Sequence, residues 1–571
     1  MPAILAQGVQ VTLAGVSDNA HLSIALDSFE WVNQFDPVPF VSNAQRLGSA
    51  AIASAFPISA NGRSISAQKC VQFVDDFYNR IHISPQILQL GNVASSQTED
   101  LFIWNSFFEP RTLESVLGGD EGVLVTGQAD PPLLFNPLKE RIWQVTVTPD
   151  GQPVLDTVVT WQFDGGSNAS LRITANRIIA WSFIPDWGDG IRETLTASTD
   201  IMQSESAVSQ RRQLRLAPRR EFSGPMYAEG RERQLLDLSL FGWSDRIWSM
   251  PIWPDIQLLE AGIAADVDFI PCSTQYLDFR VGGLAMLRGE DAFTTETVEI
   301  LDVLSNGLQL KRNTQLAWPA GSRLYPARQA QLVEEPSLSK LTDRLIEAEV
   351  QFLVVEPCDW PAWLPATLYR GRPVWDRRPD DSESLTQSAQ RLRSTLDSGF
   401  AQPLITDTAQ RALQMLGQRH LDLGREARAL VRSFIYGMRG RQAVVWVPTH
   451  MDDVTLVATV SAVGTTLDIA YMGYTRFSAG KPGRRDIRIE LWNGSVFMRR
   501  ITGSIEVDNQ VERVALDAAL GVEVQPSQVA RISWMNLMRF ESDEQEIEHM
   551  TDSEGVAAWA TVFREERDDE L

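Results

Sequence analysis

The feature that most constrains the fold is a pattern that occurs twice in the C-terminal two thirds of the chain. "ERQLLDLSLFGWSDRIWSMPIWPDIQLL" and "EARALVRSFIYGMRGRQAVVWVPTHMDDVTL" each run a helical segment, a glycine, a basic residue and an apolar strand that contains proline, and Pro251 and Pro448 fall 197 residues apart. Upstream, "IPDWGDGIRETLTASTD" from Ile184 aligns with "RPDDSESLTQSAQRLRSTLD" from Arg378. Downstream, "YLDFRVGG" aligns with "TLDIAYMG" (Asp278 against Asp468), "VEILDVLSNGLQLKR" with "IRIELWNGSVFMRR", and "EVQFLVVEP" with "ATVFREE" (Phe352 against Phe563). The order is the same in both copies and the spacing drifts as loop insertions would make it drift, so an internal duplication is expected.

A chain of 571 residues is too long for one core. The expected divisions are an N-terminal β or extended arm over 1–84, a β-sandwich over 85–176, a first α+β module over 177–358 and a second, duplicated one over 359–571. The arm rests on "VQVTLAGV" and "HLSIAL", which alternate, and on the small-residue run "SNAQRLGSAAIASAFPISANGRSIS", which can bury little by itself. The sandwich rests on short strands broken by Gly, Pro, Asp and Asn: Trp143, Val145 and Val147 share one face, as do Leu155, Thr157, Val159, Trp161 and Phe163. The spacing fits an immunoglobulin-like sandwich without its cysteine pair. In the second copy Leu423, Ala427, Leu430, Val431, Phe434 and Ile435 recur at helical spacing, with Gly437 placed to end the helix. The overall expectation is a mainly β, multidomain fold with a few helices.

Composition removes several function classes. A net charge of −23 argues against binding nucleic acid through its phosphates. Cys70, Cys272 and Cys358 form no CxxC or zinc spacing, and His21, His82, His420, His450 and His549 form no HExxH or close pair, so no metal or cofactor is expected. No apolar run reaches the length of a bilayer span, so no membrane insertion is expected, and the N-terminus lacks a basic n-region, which implies synthesis in a cytoplasm.

Three stretches invite a chemical reading. His450, Asp452 and Asp453 could belong to a metal or hydrolase site. The repeat favours a packing corner, because His450 aligns with Trp253, which can neither ligate nor shuttle protons, and Asp452 aligns with Asp255. Asp75 and Asp76 point to opposite faces if they lie on a strand, and fit a solvated turn better than a glycosidase pair. The basic cluster Arg211, Arg212, Arg215, Arg219 and Arg220 could dock on an acidic neighbour, including another copy of this chain, or form a solvated face. No catalytic residue is assigned. The candidate packing and interface residues are Pro251, Trp253, Trp446, Pro448 and His450 with that arginine cluster.

The second copy resembles structural proteins of tailed-bacteriophage tails. The resemblance lies in "FIYGMRGRQAVVWVPTHMDDVTL" and the closing "VARISWMNLMRFESDEQEIEHMTDSEGVAAWATVFREE", and covers about Arg372 to Glu565. Such proteins carry a helix, an RGR-x-x-x-FW-x-P-[ST]-W strand and an acidic hairpin ending in F-R-E; here Val445 stands for the Phe and His450 for the last Trp. "FYNRIHISPQILQLGNV" and the sandwich after it are similar to other virion proteins. The resemblance implies a non-enzymatic subunit of the tail tip or baseplate that packs against other tail proteins and against copies of itself in a symmetric ring. Two rival readings stand beside it: a receptor- or glycan-binding appendage using aromatics such as Trp181, Trp187 and Trp360, and a cell-wall or polysaccharide hydrolase using His450 with Asp452 or Asp453.

Overall fold

Apolar alternation builds the first unit of the chain. The structure, a computed structural model, describes residues 57–60, 63–66, 77–93, 96–149, 154–551 and 554–567. It divides into two compact units, Met1–Ile178 and Ile179–Leu571. Most of the expected N-terminal arm lies outside the described residues, as do Asp75, Asp76, Cys70 and His21.

In the first unit, one sheet orders Ile87–Val93, Asn168–Arg177, Val154–Phe163, Arg111–Gly118 and Leu133–Phe135. A second orders Ile81–Ser84, Gln97–Asn105, Glu140–Val147 and Val123–Thr126. Both contribute to one core: Trp143, Val145 and Val147 from one sheet and Leu155, Val159, Trp161 and Phe163 from the other are all buried. Trp143 meets Trp161 edge to face at 6.2 Å and stacks on Phe135 at 5.7 Å, the offsets that aromatic quadrupoles prefer. The unit is a two-sheet sandwich.

The second unit contains the repeat. Its first half runs β1 (Ile179–Ala180), β2 (Ile191–Thr196), the hairpin β3 (Thr199–Gln203) and β4 (Ser209–Gln213), β5 (Arg219–Glu229), α1 (Gly230–Trp243), β6 (Trp248–Pro251), β7 (Phe269–Pro271), β8 (Leu284–Arg288), β9 (Thr295–Leu304), β10 (Gly307–Leu310), β11 (Arg323–Leu332), β12 (Leu338–Lys340) and β13 (Leu345–Val354). Its second half runs β14 (Gln387–Gln390), the hairpin β15 (Arg393–Leu396) and β16 (Leu404–Asp407), β17 (Leu413–Leu423), α2 (Gly424–Met438), β18 (Val445–Pro448), β19 (Thr466–Ala470), β20 (Asp486–Leu491), β21 (Val496–Glu506), β22 (Val511–Leu516), β23 (Val529–Phe540), β24 (Glu544–His549) and β25 (Val556–Glu565).

The two halves pair strand for strand. β5 pairs with β13, β6 with β11, β8 with β9 and β11, and β7 with β10; β17 pairs with β25, β18 with β23, β20 with β21 and β23, and β19 with β22. Register agrees as well. Pro251 and Pro448 sit opposite Ala327 and Met535, and Phe352 and Phe563 sit opposite Phe222 and Leu416. Even the register slip recurs, between Ile300 and Asp302 in β9 and between Ile501 and Gly503 in β21. The cores follow: Ile270, Leu287, Ile300, Leu308 and Leu324 occupy the positions of Leu467, Ile489, Ile501, Val514 and Ile532.

Register corrects two of the sequence alignments. Asp468 pairs with Arg513 in β22 next to Leu467, the partner of Val514, so its counterpart is Pro271 and not Asp278, which lies beyond β7. "IRIEL" forms β20, the counterpart of β8, so "VEILDVLSNGLQLKR" corresponds to β21 and β22 instead. Consecutive β-hairpins of similar composition can be matched one strand out of step without disturbing the apolar alternation.

Both helices start on a glycine with positive φ, Gly230 at +57° and Gly424 at +80°, a conformation that lets a long strand turn directly into a helix. Gly437 does not end α2, as the sequence suggests; the helix runs to Met438, and Arg439 (φ +53°) and Gly440 (φ +66°) make the left-handed turn. Gly437 is buried inside the helix because the carbonyl oxygen of Trp363 lies where its Cβ would stand. The buried face of α2 also differs from the expected one. Leu423 and Leu430 are exposed, while Arg428 and Arg432 are buried beside Val431, Phe434 and Ile435.

Candidate assembly interface

The buried arginines of α2 point to the contact between the two modules. β2 of the first module pairs antiparallel with β24 of the second, from Ile191 opposite His549 to Thr196 opposite Glu544. Glu193, wholly buried on β2, is the hub of this contact. It receives Arg220 Nε at 2.7 Å from its own module, and Arg432 Nη2 at 2.8 Å and His549 Nε2 at 2.9 Å from the other. Arg220 also pairs with Asp278, which binds Arg328; Arg328 Nη1 reaches Glu356 at 3.1 Å. Arg432 lies 3.5 Å from Asp255 and over the ring of Trp360 at 4.7 Å, and Arg428 donates to the carbonyl of Pro254 at 3.2 Å.

Burial alone would raise the Glu193 carboxyl; the guanidinium groups of Arg220 and Arg432, with His549, hold it well below the usual carboxylate range. Burial likewise opposes ionisation of Asp278, and Arg220 and Arg328 overcome it. Burial pushes the His549 imidazole down, against the pull of Glu193. Removing such charges from water costs several kcal/mol per ion, and only near-ideal pairing repays it. A docking shifted by one residue would separate Glu193 from Arg432 and His549 and leave buried charges without these partners, which disfavours it.

A second contact seats the β3–β4 hairpin. The Thr199 amide donates to Asp543 Oδ2 at 2.8 Å and its hydroxyl to Oδ1 at 2.7 Å; Ser209 Oγ donates to Glu566 at 3.0 Å, and Arg211 pairs with Glu566. The floor of this seat is the Arg439–Gly440–Arg441 turn, where the Arg441 amide donates to Asp543 Oδ1 at 3.0 Å. A Cβ on Gly440 would stand 2.6 Å from the Ala197 methyl group, so only glycine admits the hairpin here.

The basic cluster is thus largely spent inside the chain. Arg220 and Arg211 hold acids, Arg215 donates to the Thr196 carbonyl at 3.2 Å, and Arg212 and Arg219 are exposed. Pro251, Trp446 and Pro448 are buried in β6 and β18, and Trp446 Nε1 donates to the Tyr369 carbonyl at 2.9 Å.

The corner after the prolines is not shared. Trp253 is buried in a 3-10 turn and meets Phe352 edge to face at 6.2 Å. His450 adopts φ +55° instead, and burial with Arg488 and Arg531 lowers its imidazole to about 4. Asp255 accepts the Asp278 amide at 3.1 Å, but the acceptor in the second module is Asp453, which takes the Trp534 amide at 2.9 Å and the Thr449 hydroxyl; Asp452 is exposed. Among the described residues no three His, Cys, Asp or Glu side chains are grouped to hold a metal ion. Trp181 is buried against Trp248 and Phe352, and Trp360 Nε1 donates to Ser433 at 2.9 Å; Trp187 is half-buried. No helix among the described residues is long and apolar enough to cross a membrane.

Sequence reading missed Glu193, Asp278, Arg328, Arg432 and His549, since a charged residue carries no mark that it will be buried. Arg428 and Arg432 fall beside the apolar stripe of α2 and not within it, so helical spacing gave no signal for them either. No protein-family profile matches the chain, and no curated protein matches it. Among solved structures it is similar to the secreted serine protease VesC from Vibrio cholerae at 8% identity and a TM-score of 0.17, over 52% of this chain and 55% of that one, a likeness too slight to bear on fold or function.

Proposed function

We propose that the chain is a non-enzymatic structural subunit of a bacteriophage tail, placed in the tail tip or baseplate of the virion and made in the bacterial cytoplasm. It acts by packing: against other tail proteins and against further copies of itself in a symmetric ring. The observation that carries the reading is that the motif behind the resemblance is also a docking device. The Arg439–Gly440–Arg441 turn seats the hairpin of the other module, and Trp446 and Pro448 form the buried strand behind it. The charged network around Glu193 supports it further, as a means of fixing one module on another in a single register.

Immunogold labelling of intact virions against this chain tests the reading. Label at the end of the tail distal to the head is expected; label confined to the capsid, or to none of the particle, overturns it.

A further inference from the structure

We propose that a second copy of this chain repeats, between chains, the contact that joins the two modules within one. The inference deepens the self-assembly part of the reading above and rests on it. Within the chain, a donor face of the first module (β2 with the β3–β4 hairpin) meets an acceptor face of the second (β24, α2 and the turn after it). The repeat supplies one more face of each kind. The second module has its own donor face, β14 with the β15–β16 hairpin, and the first its own acceptor face, β12 with α1. The ladder of β14 on β12 is not formed among the described residues; β14 pairs with β17 and β12 with β13.

Both faces are bare. All residues of β12 and β14 are exposed. α2 buries nine residues, whereas α1 buries Leu236 alone and leaves Leu238 at 68% and Phe241 at 93% exposure. The β15–β16 hairpin presents Phe400 at 100% and Ile405 at 58%. Apolar side chains gathered on matching faces mark an interaction surface. An unpaired strand edge is a template for another strand.

The substitutions between copies agree with this pairing. Counted from the glycine that opens each helix, Arg432 corresponds to Leu238. Glu193, opposite Phe222, corresponds to Gln387, opposite Leu416. The Glu193–Arg432 pair between modules is therefore replaced on both sides by neutral groups, while the counterpart of His549, by the same register, is Lys340. The register transfers too. Glu193 faces Ile547 and Thr194 faces Glu546, which places Gln387 opposite Leu338 and Ser388 opposite Ser337 of the next chain. Such a head-to-tail contact closes into a ring when its rotation allows.

Light scattering on the purified full chain is expected to give a discrete oligomer. Phe241→Asp and Phe400→Asp, each at an exposed position, are expected to yield folded monomers with unchanged circular dichroism. Oxidising a Ser337→Cys/Ser388→Cys variant is expected to link chains covalently, and the single-cysteine variants are not. A monomer at about 100 µM overturns the proposal, including one that binds a different tail protein through α1. So does an oligomer that survives both Asp variants and fails to cross-link in this register. Virion labelling is independent of these outcomes, so the tail assignment and the ring contact fail separately.

Discussion

The Glu193 carboxylate, on a strand of the first module, lies 2.8 Å from Arg432 Nη2 on the helix of the second. Both side chains are buried, and Arg220 and His549 converge on the same carboxylate. Glu193→Ala leaves two guanidinium groups buried without their shared counter-charge. Breaking a buried pair from one side costs about 3–5 kcal/mol, and that loss is expected in urea unfolding of the full chain. Combining Glu193→Gln with Arg432→Met removes both ends together and is expected to cost less than the sum of the two single changes, by about 0.5–3 kcal/mol. Strict additivity would mean the two residues do not act as a pair.

Three histidines withdrawn from solvent, His420 and His549 buried and His450 half-buried, contribute to the acid side of the stability curve. His420, His450 and His549 are all held below the ordinary 6.5, His450 to about 4 and His420 to about 3, with burial the leading cause in each. These three sites therefore bind fewer protons in the folded chain than in the unfolded one below pH 6.5. Their contribution is unchanged at higher pH, begins to fall as pH drops through about 6.5, and keeps falling until each folded-state value is reached, at about 1.4 kcal/mol per pH unit for each histidine. Asp422 and Glu565, raised by burial, work in the opposite sense at lower pH, so the comparison is made between variants. His420 stacks on Trp559 at 5.3 Å, a contact that phenylalanine can keep. His420→Phe is expected to flatten the fall in urea midpoint between pH 6.5 and 5, and an unchanged slope would remove His420 from the account.

Legibility in the sequence followed the solvent. Where one face is wet and the other dry, as along Trp143–Val147 and Leu155–Phe163, alternation alone assigned the core. The repeat was legible where a residue is tied to backbone geometry, as Pro251 and Pro448 are, or to a fixed cross-strand partner, as Phe352 and Phe563 are. It failed at Asp278 and Asp468, because a charged residue beside a hydrophobic one recurs in many hairpins and does not fix register. The interface was least legible. Arg432 and Glu193 read as surface residues one at a time, and only their convergence across 239 positions of sequence makes them a site. His450 misled for a related reason: matching it to Trp253 presumed one backbone path after the proline, and the positive φ of His450 takes another.

Glycine at two neighbouring positions does two different jobs, which can be told apart. At Gly437 the obstacle is the Trp363 carbonyl oxygen, inside the second module. Gly437→Ala overpacks α2 against that backbone, so a loss of about 1–3 kcal/mol in thermal or urea unfolding is expected. At Gly440 the backbone is left-handed (φ +66°) and the obstacles are Asp543 and Ala197, in the seat of the β3–β4 hairpin. Gly440→Ala carries about 1–2 kcal/mol for the backbone alone, and its larger consequence is release of the hairpin. Native-state trypsin digestion reads this directly: faster cleavage after Arg211, Arg212 or Arg215 is expected in Gly440→Ala and not in Gly437→Ala. Gly503, where φ is ordinary and nothing lies within 4 Å of an added Cβ, is the control. Gly503 is exposed beside the register slip of β21, and because its φ and surroundings accept a Cβ, Gly503→Ala is expected to stay within about 0.5 kcal/mol of the parent. Equal trypsin sensitivity in Gly437→Ala and Gly440→Ala would show that the Arg439–Gly440–Arg441 turn does not seat the hairpin.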